Sequence, residues 1–284
     1  MLRSPTERLA IALCPGRIGV MRKRGRAEIE QGVVRYAKAA TGDWQAAMDA
    51  FDAWLDKMNL RKAQASLLLS NRYVRYALIP WSALGLKRAE EDALVRVRFE
   101  EAYGDMAGWR IVADPGRYGS ARIACALPAD MVDRLHAQWA ARQLRGGAIL
   151  PHFVACWNRW RNPVGSKPAL TAWDKTPSLF AVAESSTLVV GTLAPQGQGW
   201  TGLRALSADT ASLPDTLYRE SLLQGHAEPL PVRLHVPGLG QEEGTALLKG
   251  ETQGAAIELL QAEPQPQEAA LAMARLGVGM GWLK

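Results

Sequence analysis

Ala269-Ala-Leu-Ala-Met-Ala-Arg-Leu-Gly-Val-Gly-Met-Gly-Trp-Leu-Lys284 closes the chain, and its reading governs the rest. Ala269, Ala270, Ala272 and Ala274 let a helix approach a neighbouring sheet closely. Leu271, Leu276 and Met280 supply apolar contacts at near-helical spacing. Pro264 and Pro266 stand just ahead, as prolines do before a helix start. Gly277, Gly279 and Gly281 weaken the helical signal, because each glycine costs a helix about 1 kcal/mol relative to alanine.

Two strand–turn–strand units stand upstream, one near the start of each half. The first is Leu9-Ala-Ile-Ala-Leu-Cys-Pro-Gly-Arg-Ile-Gly-Val-Met21, with Cys14-Pro-Gly-Arg17 as its turn. The second is Ala181-Val-Ala-Glu-Ser-Ser-Thr-Leu-Val-Val190, inside paired runs at 178–183 and 187–193. Residues 27–36 extend the first unit into a meander. Thr41-Gly-Asp43 caps a helix in which Trp44, Ala47, Met48, Phe51, Leu55 and Met58 recur at spacings of three and four. Strands follow at 65–69 and 73–79, the latter ended by Pro80.

From Trp81 the order becomes helix (88–103), strand (109–113), strand (121–127) and helix (128–144), then a short strand or turn into a helix ending at Trp160. This predicts a small α/β unit inserted at 81–160, after a first unit at 1–80. Residues 161–177, rich in Pro, Gly, Ser and Lys, read as a linker to a second unit at 178–284. There, 195–202 reads as a turn-rich loop and 215–223 as a helix. A strand at 232–236 is closed by Pro237-Gly-Leu-Gly240.

With 284 residues and 48% apolar content the chain can build a sizeable core. No apolar run reaches the ~18 residues that span a bilayer, and 9–13 is too short for a signal-peptide core, so a cytoplasmic protein is expected. Residues 1–150 carry 24 Lys/Arg against 16 Asp/Glu, and 151–284 carry 10 against 12. Such asymmetry is compatible with a nucleic-acid face or with attraction to an anionic membrane leaflet. Only Arg22-Lys-Arg-Gly-Arg26 clusters, however, and it reads most simply as a solvated hairpin turn. Trp157 and Trp160, beside Arg159 and Arg161, are either packed or part of a binding face. Cys14, Cys125 and Cys156 are too few for a disulfide framework or a zinc site. His136, His152, His226 and His235 show no metal-ligand spacing, so no metal is expected. Ser185-Ser186 lacks the elbow of a hydrolase nucleophile, and Pro237-Gly-Leu-Gly240 lacks a dinucleotide fingerprint.

The closing helix and the paired hairpins together resemble the actin-like ATPase superfamily, most of all the PilM and GspL cytoplasmic-domain-like members. The first hairpin is similar to that family's first phosphate hairpin, the second to its second, and Val232-Arg-Leu-His-Val-Pro-Gly-Leu-Gly240 to the strand and glycine pair over the adenosine. The region 84–160 looks like the inserted subdomain of the pilus and secretion proteins. The resemblance implies an α/β, actin-like (ribonuclease H-like, duplicated) fold with an inserted α/β subdomain.

In active members each hairpin carries an aspartate that holds magnesium through water. Here the first position falls on Ala12 or Cys14 and the second on Ala183. Glu184 stands one place later, where a strand points its side chain to the other face. Without magnesium the charge on a transferred phosphoryl group loses its main stabiliser. The expectation is therefore no enzyme and no cofactor, with a vestigial ATP and magnesium cleft surviving at Arg17, Ser185, Ser186, Thr187 and Gly238. The resemblance implies a scaffold at the inner face of the inner membrane in a type IV pilus or type II secretion platform. Its partner would be the cytoplasmic segment of a bitopic membrane protein, with contact relayed to an assembly ATPase. Tyr73, Arg75, Tyr76, Trp81, Arg96 and Arg98 are the candidate partner contacts, being aromatic anchors and cations. An active actin-like ATPase or sugar kinase would need a carboxylate at each hairpin. A nucleic-acid-binding module would need a contiguous basic surface.

Overall fold

The computed structural model describes residues 7–37, 44–58, 60, 62–161, 175–195, 199–209, 211–226, 228–249, 256–260 and 267–279. The cap expected at 41–43, most of the linker (162–174), Pro264, Pro266 and everything from Met280 onward lie outside them.

Two five-stranded sheets carry the architecture. In the first, β1 (Glu7–Cys14), β2 (Arg17–Arg24) and β3 (Ala27–Arg35) form an antiparallel meander, and β4 (Gln64–Leu69) and β8 (Arg145–Pro151) add in parallel beyond β1, giving the order β3-β2-β1-β4-β8. The second has the order β11 (Trp200–Leu206), β10 (Thr187–Leu193), β9 (Ser178–Glu184), β12 (Val232–His235), β13 (Ile257–Leu259). Its pairings run antiparallel, antiparallel, parallel, parallel, as in the first. The duplication expected from the repeated hairpins is therefore complete at the level of strand order. β11 differs from the expected loop. Its sequence Trp-Thr-Gly-Leu-Arg-Ala-Leu lacks a clean alternation because it is an edge strand with much of its length exposed. β13 and α6 (Gln241–Lys249) were not foreseen either.

A third, antiparallel sheet of order β5-β7-β6 is built from β5 (Arg75–Ile79), β6 (Trp109–Ala113) and β7 (Arg122–Pro128). α2 (Arg88–Tyr103) covers it with Val95 and Phe99, and α3 (Ala129–Ala141) follows β7. The sheet draws β5 from ahead of Trp81. β8 and α4 (His152–Trp160), which the sequence reading grouped with 81–160, join the first sheet and its core instead.

Alternation in β1 explains how the first sheet is covered. Leu9, Ile11 and Leu13 point to one face and the small Ala10 and Ala12 to the other. α1 (Trp44–Lys57) packs into the same core through Ala47, Met48, Phe51, Trp54 and Leu55, while α7 (Ala269–Gly279) returns across β1, β2 and β4. The approach of α7 is close. A Cβ on Gly19 would lie 1.8 Å from the Ala270 carbonyl oxygen, and one on Gly277 would lie 2.8 Å from a Leu68 methyl and 3.6 Å from Ala10. The glycine that weakens the helical signal is thus a contact point. α5 (Leu213–Leu223) completes a second core with Leu179, Ala181, Ala183 and Leu234. Arg22 in the basic hairpin pairs with Glu7 and Glu30. Among the described residues, no helix is long and apolar enough to cross a membrane.

Candidate functional site

The two hairpin turns have the same length. Cys14 pairs with Arg17 around Pro15-Gly16, where Gly16 takes φ +78°. Glu184 pairs with Thr187 around Ser185-Ser186. The position before the turn is therefore Cys14 in one half and Glu184 in the other.

Glu184 shares its strand face with Phe180 and Val182, which belong to the first core, whereas Ala183 faces the second. Its side chain is only 10% exposed. The carboxylate accepts hydrogen bonds from the Ser70 hydroxyl and from the Asn71 amide at 2.9 Å, and lies 2.9 Å from His152 Nδ1. Asn71 Oδ1 in turn accepts from Tyr76 Oη at 2.6 Å and from the Phe153 amide at 2.9 Å. One carboxylate thus joins the second hairpin to the turn after β4 and to the start of α4.

The other candidate nucleotide contacts are placed as follows. Arg17 is about half exposed and pairs with Glu268, whose carboxylate also meets Arg35. The Gly238 carbonyl accepts from the Gln267 amide at 3.0 Å, and a Cβ there would lie 2.3 Å from the Gln267 oxygen. Both therefore border the segment leading into α7. Ser185 is exposed, Ser186 partly so, and Thr187 buried. Cys14 lies against Met273, and burial, reinforced by Glu184, pushes its thiol pKa up.

The partner candidates separate into two groups. Tyr73 and Tyr76 are 4% and 5% exposed and belong to the core, so their rings cannot serve as surface anchors. Tyr73 reaches Tyr36, and burial raises its pKa. The Arg75 guanidinium lies over the Trp109 ring at 3.9 Å and near Tyr103, which ties it into the third sheet. Arg96 and Arg98 are exposed; Arg96 donates to the Met106 carbonyl and Arg98 pairs with Glu101. Trp81 is exposed and meets Tyr118 edge-on at 5.0 Å; Tyr118 itself is 92% exposed. The sequence reading missed Tyr118, although an aromatic residue just after Asp114-Pro-Gly116 was a usable signal. A cavity of about 970 Å³ opens beside this loop, lined by Arg117, Tyr118, Arg122, Trp157, Trp200 and Arg233 among others. Trp157 packs on Trp200 at 4.5 Å and on Phe180 at 5.3 Å, and Trp160 on His235 at 4.8 Å, so both tryptophans pack inside the fold.

The histidines behave differently from the expectation. His152, Cys156 and His235 are buried with their donor atoms all within 4.8 Å of one another. Burial, with His152 adding to it, lowers the His235 pKa; burial, with Glu184 adding to it, raises that of Cys156. His152 and Cys156 are four apart on one helix, a spacing visible in the sequence. His235 comes from the other half, where nothing local announces it.

No family model matches this sequence, and no curated protein does. Solved structures do. The chain is similar to a Bacteroides thetaiotaomicron protein with an actin-like ATPase fold and unknown function, at 10% identity, over 96% of this chain and 97% of that one, with a TM-score of 0.56. The fold is actin-like. It is equally similar to a chain of the PilM–PilN type IV pilus biogenesis complex (12% identity, 95% and 97% covered, TM-score 0.56). The cytoplasmic domain of EpsL, an inner-membrane component of the type II secretion system of Vibrio cholerae, matches over 96% of this chain and 94% of its own, at 13% identity and a TM-score of 0.52. The actin-like duplication accounts for the matching strand orders of the two sheets and for the return of α7 to the first.

Proposed function

We propose that this chain is a scaffold of a type IV pilus or type II secretion assembly platform, binding the cytoplasmic segment of a bitopic inner-membrane protein without turning over ATP. The observation that carries the reading is the engagement of Glu184. A magnesium site between the hairpins needs carboxylates available to the hydrated ion. The first hairpin offers none at its turn, its one carboxylate, Glu7, being paired with Arg22 at the far end, and in the second the nearest carboxylate is hydrogen-bonded to Ser70, Asn71 and His152. The likeness to EpsL and to the PilM–PilN complex supports the choice of platform. The inserted unit would carry the docking surface, with Trp81, Tyr118 and Arg98 as its exposed anchors; contact with an assembly ATPase would follow from the same role, at the inner face of the membrane.

Calorimetric titration with magnesium-ATP tests the absence of turnover. Binding is expected to be weaker than about 1 mM, equivalent to about 4 kcal/mol. Micromolar, magnesium-dependent binding or steady hydrolysis would overturn it. In pull-downs with cytoplasmic segments of pilus and secretion membrane subunits, Trp81→Ala should cost at least about tenfold in affinity. Undiminished capture by the folded variant would move the docking surface elsewhere.

A further inference from the structure

We propose that His152, Cys156 and His235 form a binding site for a borderline divalent cation of the zinc class, pinning α4 to the second sheet. The three donors are those such ions prefer, two imidazole nitrogens and one sulfur. They come from two elements. His152 and Cys156 lie one helical turn apart on α4, and His235 ends β12 with its side chain on the face opposite Val232 and Leu234.

Two further observations point to a ligand. His152 Nε2 and His235 Nδ1 are both buried and without a hydrogen-bond partner among the described residues. His152 is 0% and His235 4% exposed, so each orphan nitrogen is destabilising if nothing meets it. The second observation is Glu184. Its carboxylate lies 2.9 Å from His152 Nδ1. With the Nδ1 proton donated there, Nε2 keeps its lone pair and is the nitrogen left for a metal. A carboxylate on the far nitrogen of a ligating histidine is the usual outer support of a zinc-bound imidazole.

Charge and geometry agree. A divalent ion, the Cys156 thiolate and the Glu184 carboxylate sum to zero, which a buried site requires. On binding, the thiol proton leaves to solvent and a metal–sulfur bond forms, with no change of oxidation state. Tetrahedral zinc holds its N and S ligands roughly 3.3–3.6 Å apart, so donors within 4.8 Å need to close by about 1 Å.

The site gives the carboxylate of this hairpin a role: Glu184 would orient a metal ligand, and the metal would lock the two halves in one arrangement. The inference does not rest on the scaffold reading, which survives if no metal binds.

The test uses the full chain, stripped with chelator and loaded with zinc or cobalt(II) alone. The expected result is one zinc per chain by elemental analysis after dialysis, a rise in melting temperature, and a cobalt spectrum with a sulfur-to-metal charge-transfer band and tetrahedral visible bands. Cys156→Ser should remove the charge-transfer band and His235→Gln should lower affinity at least about a hundredfold. Glu184→Gln should cost about 10–100-fold. Cys14→Ser should change none of these. If Cys156→Ser fails to fold, His235→Gln decides. Zinc well below one per chain, or a cobalt spectrum retained in folded Cys156→Ser, would overturn the site.

Discussion

The two five-stranded sheets have the same strand order and the same two-residue hairpin turns, yet equivalent positions hold opposite residue types. Three places after the first turn stands Gly19; three places after the second stands Val189. Five places after, the first hairpin has Met21 and the second Gly191. What lies on each sheet explains the swap. α7 presses its backbone on Gly19, whereas the ring of Trp200 presses on Gly191, 2.2 Å from where a Cβ would be. Before the turn, Cys14 rests against Met273 while Glu184 reaches across to Ser70, Asn71 and His152. A duplicated fold keeps its backbone hydrogen bonding and differentiates by what covers each hairpin. In this chain Cys14 meets α7, whereas Glu184 meets the turn after β4 and the start of α4.

The largest effect should come from the carboxylate that joins the halves. Glu184→Ala leaves a hydroxyl, a backbone amide and an imidazole nitrogen unpaired in a buried setting, and should destabilise by about 3–5 kcal/mol in urea unfolding. Its counterpart, Cys14→Ala, should cost only about 1–2 kcal/mol, the loss of one partly buried sulfur. Equal costs would mean that the two hairpins do equivalent structural work, and the contrast would fail.

The next effect tests the covering of the first sheet. Gly19→Ala puts a methyl 1.8 Å from a carbonyl oxygen. Neither backbone can yield cheaply, so α7 must lift, at about 3 kcal/mol. A loss below about 1 kcal/mol would show that α7 is not held on β2.

Much of this was legible, and the reasons are local. The alternating Leu9-Ala-Ile-Ala-Leu13 reports a strand with one crowded face, and the alanines of 269–274 report the helix that crowds it. Proline and glycine mark the first turn. The actin-like resemblance extended these signals to the whole duplication. What escaped the sequence depends on contacts between distant segments. β13 has three residues and exists because β12 pairs with it. The burial of Tyr73 and Tyr76 follows from the turn after β4 folding back on Asn71, and their aromatic character alone suits core and surface equally. The clustering of His152, Cys156 and His235 needs α4 and β12 to meet, which no spacing rule encodes. Glu184 was read to the correct face of its strand, but its three partners lie in three other elements.

The smallest effect belongs to Arg17, the one cation in the turn Cys14-Pro-Gly-Arg17. Here it is half exposed and shares Glu268 with Arg35. Exposed ion pairs contribute little, because water screens them and long side chains lose freedom to form them. Arg35 also remains to hold the carboxylate. Arg17→Ala should therefore shift the urea midpoint by less than the equivalent of about 0.5 kcal/mol. It should also leave the weak magnesium-ATP titration unchanged, since a guanidinium turned to Glu268 is not contributing to a phosphate. A clear drop in nucleotide affinity on this substitution alone would mean that Arg17 leaves Glu268 for the ligand. The first hairpin would then offer a phosphate contact, while Glu184 in the second stays tied to three neighbours.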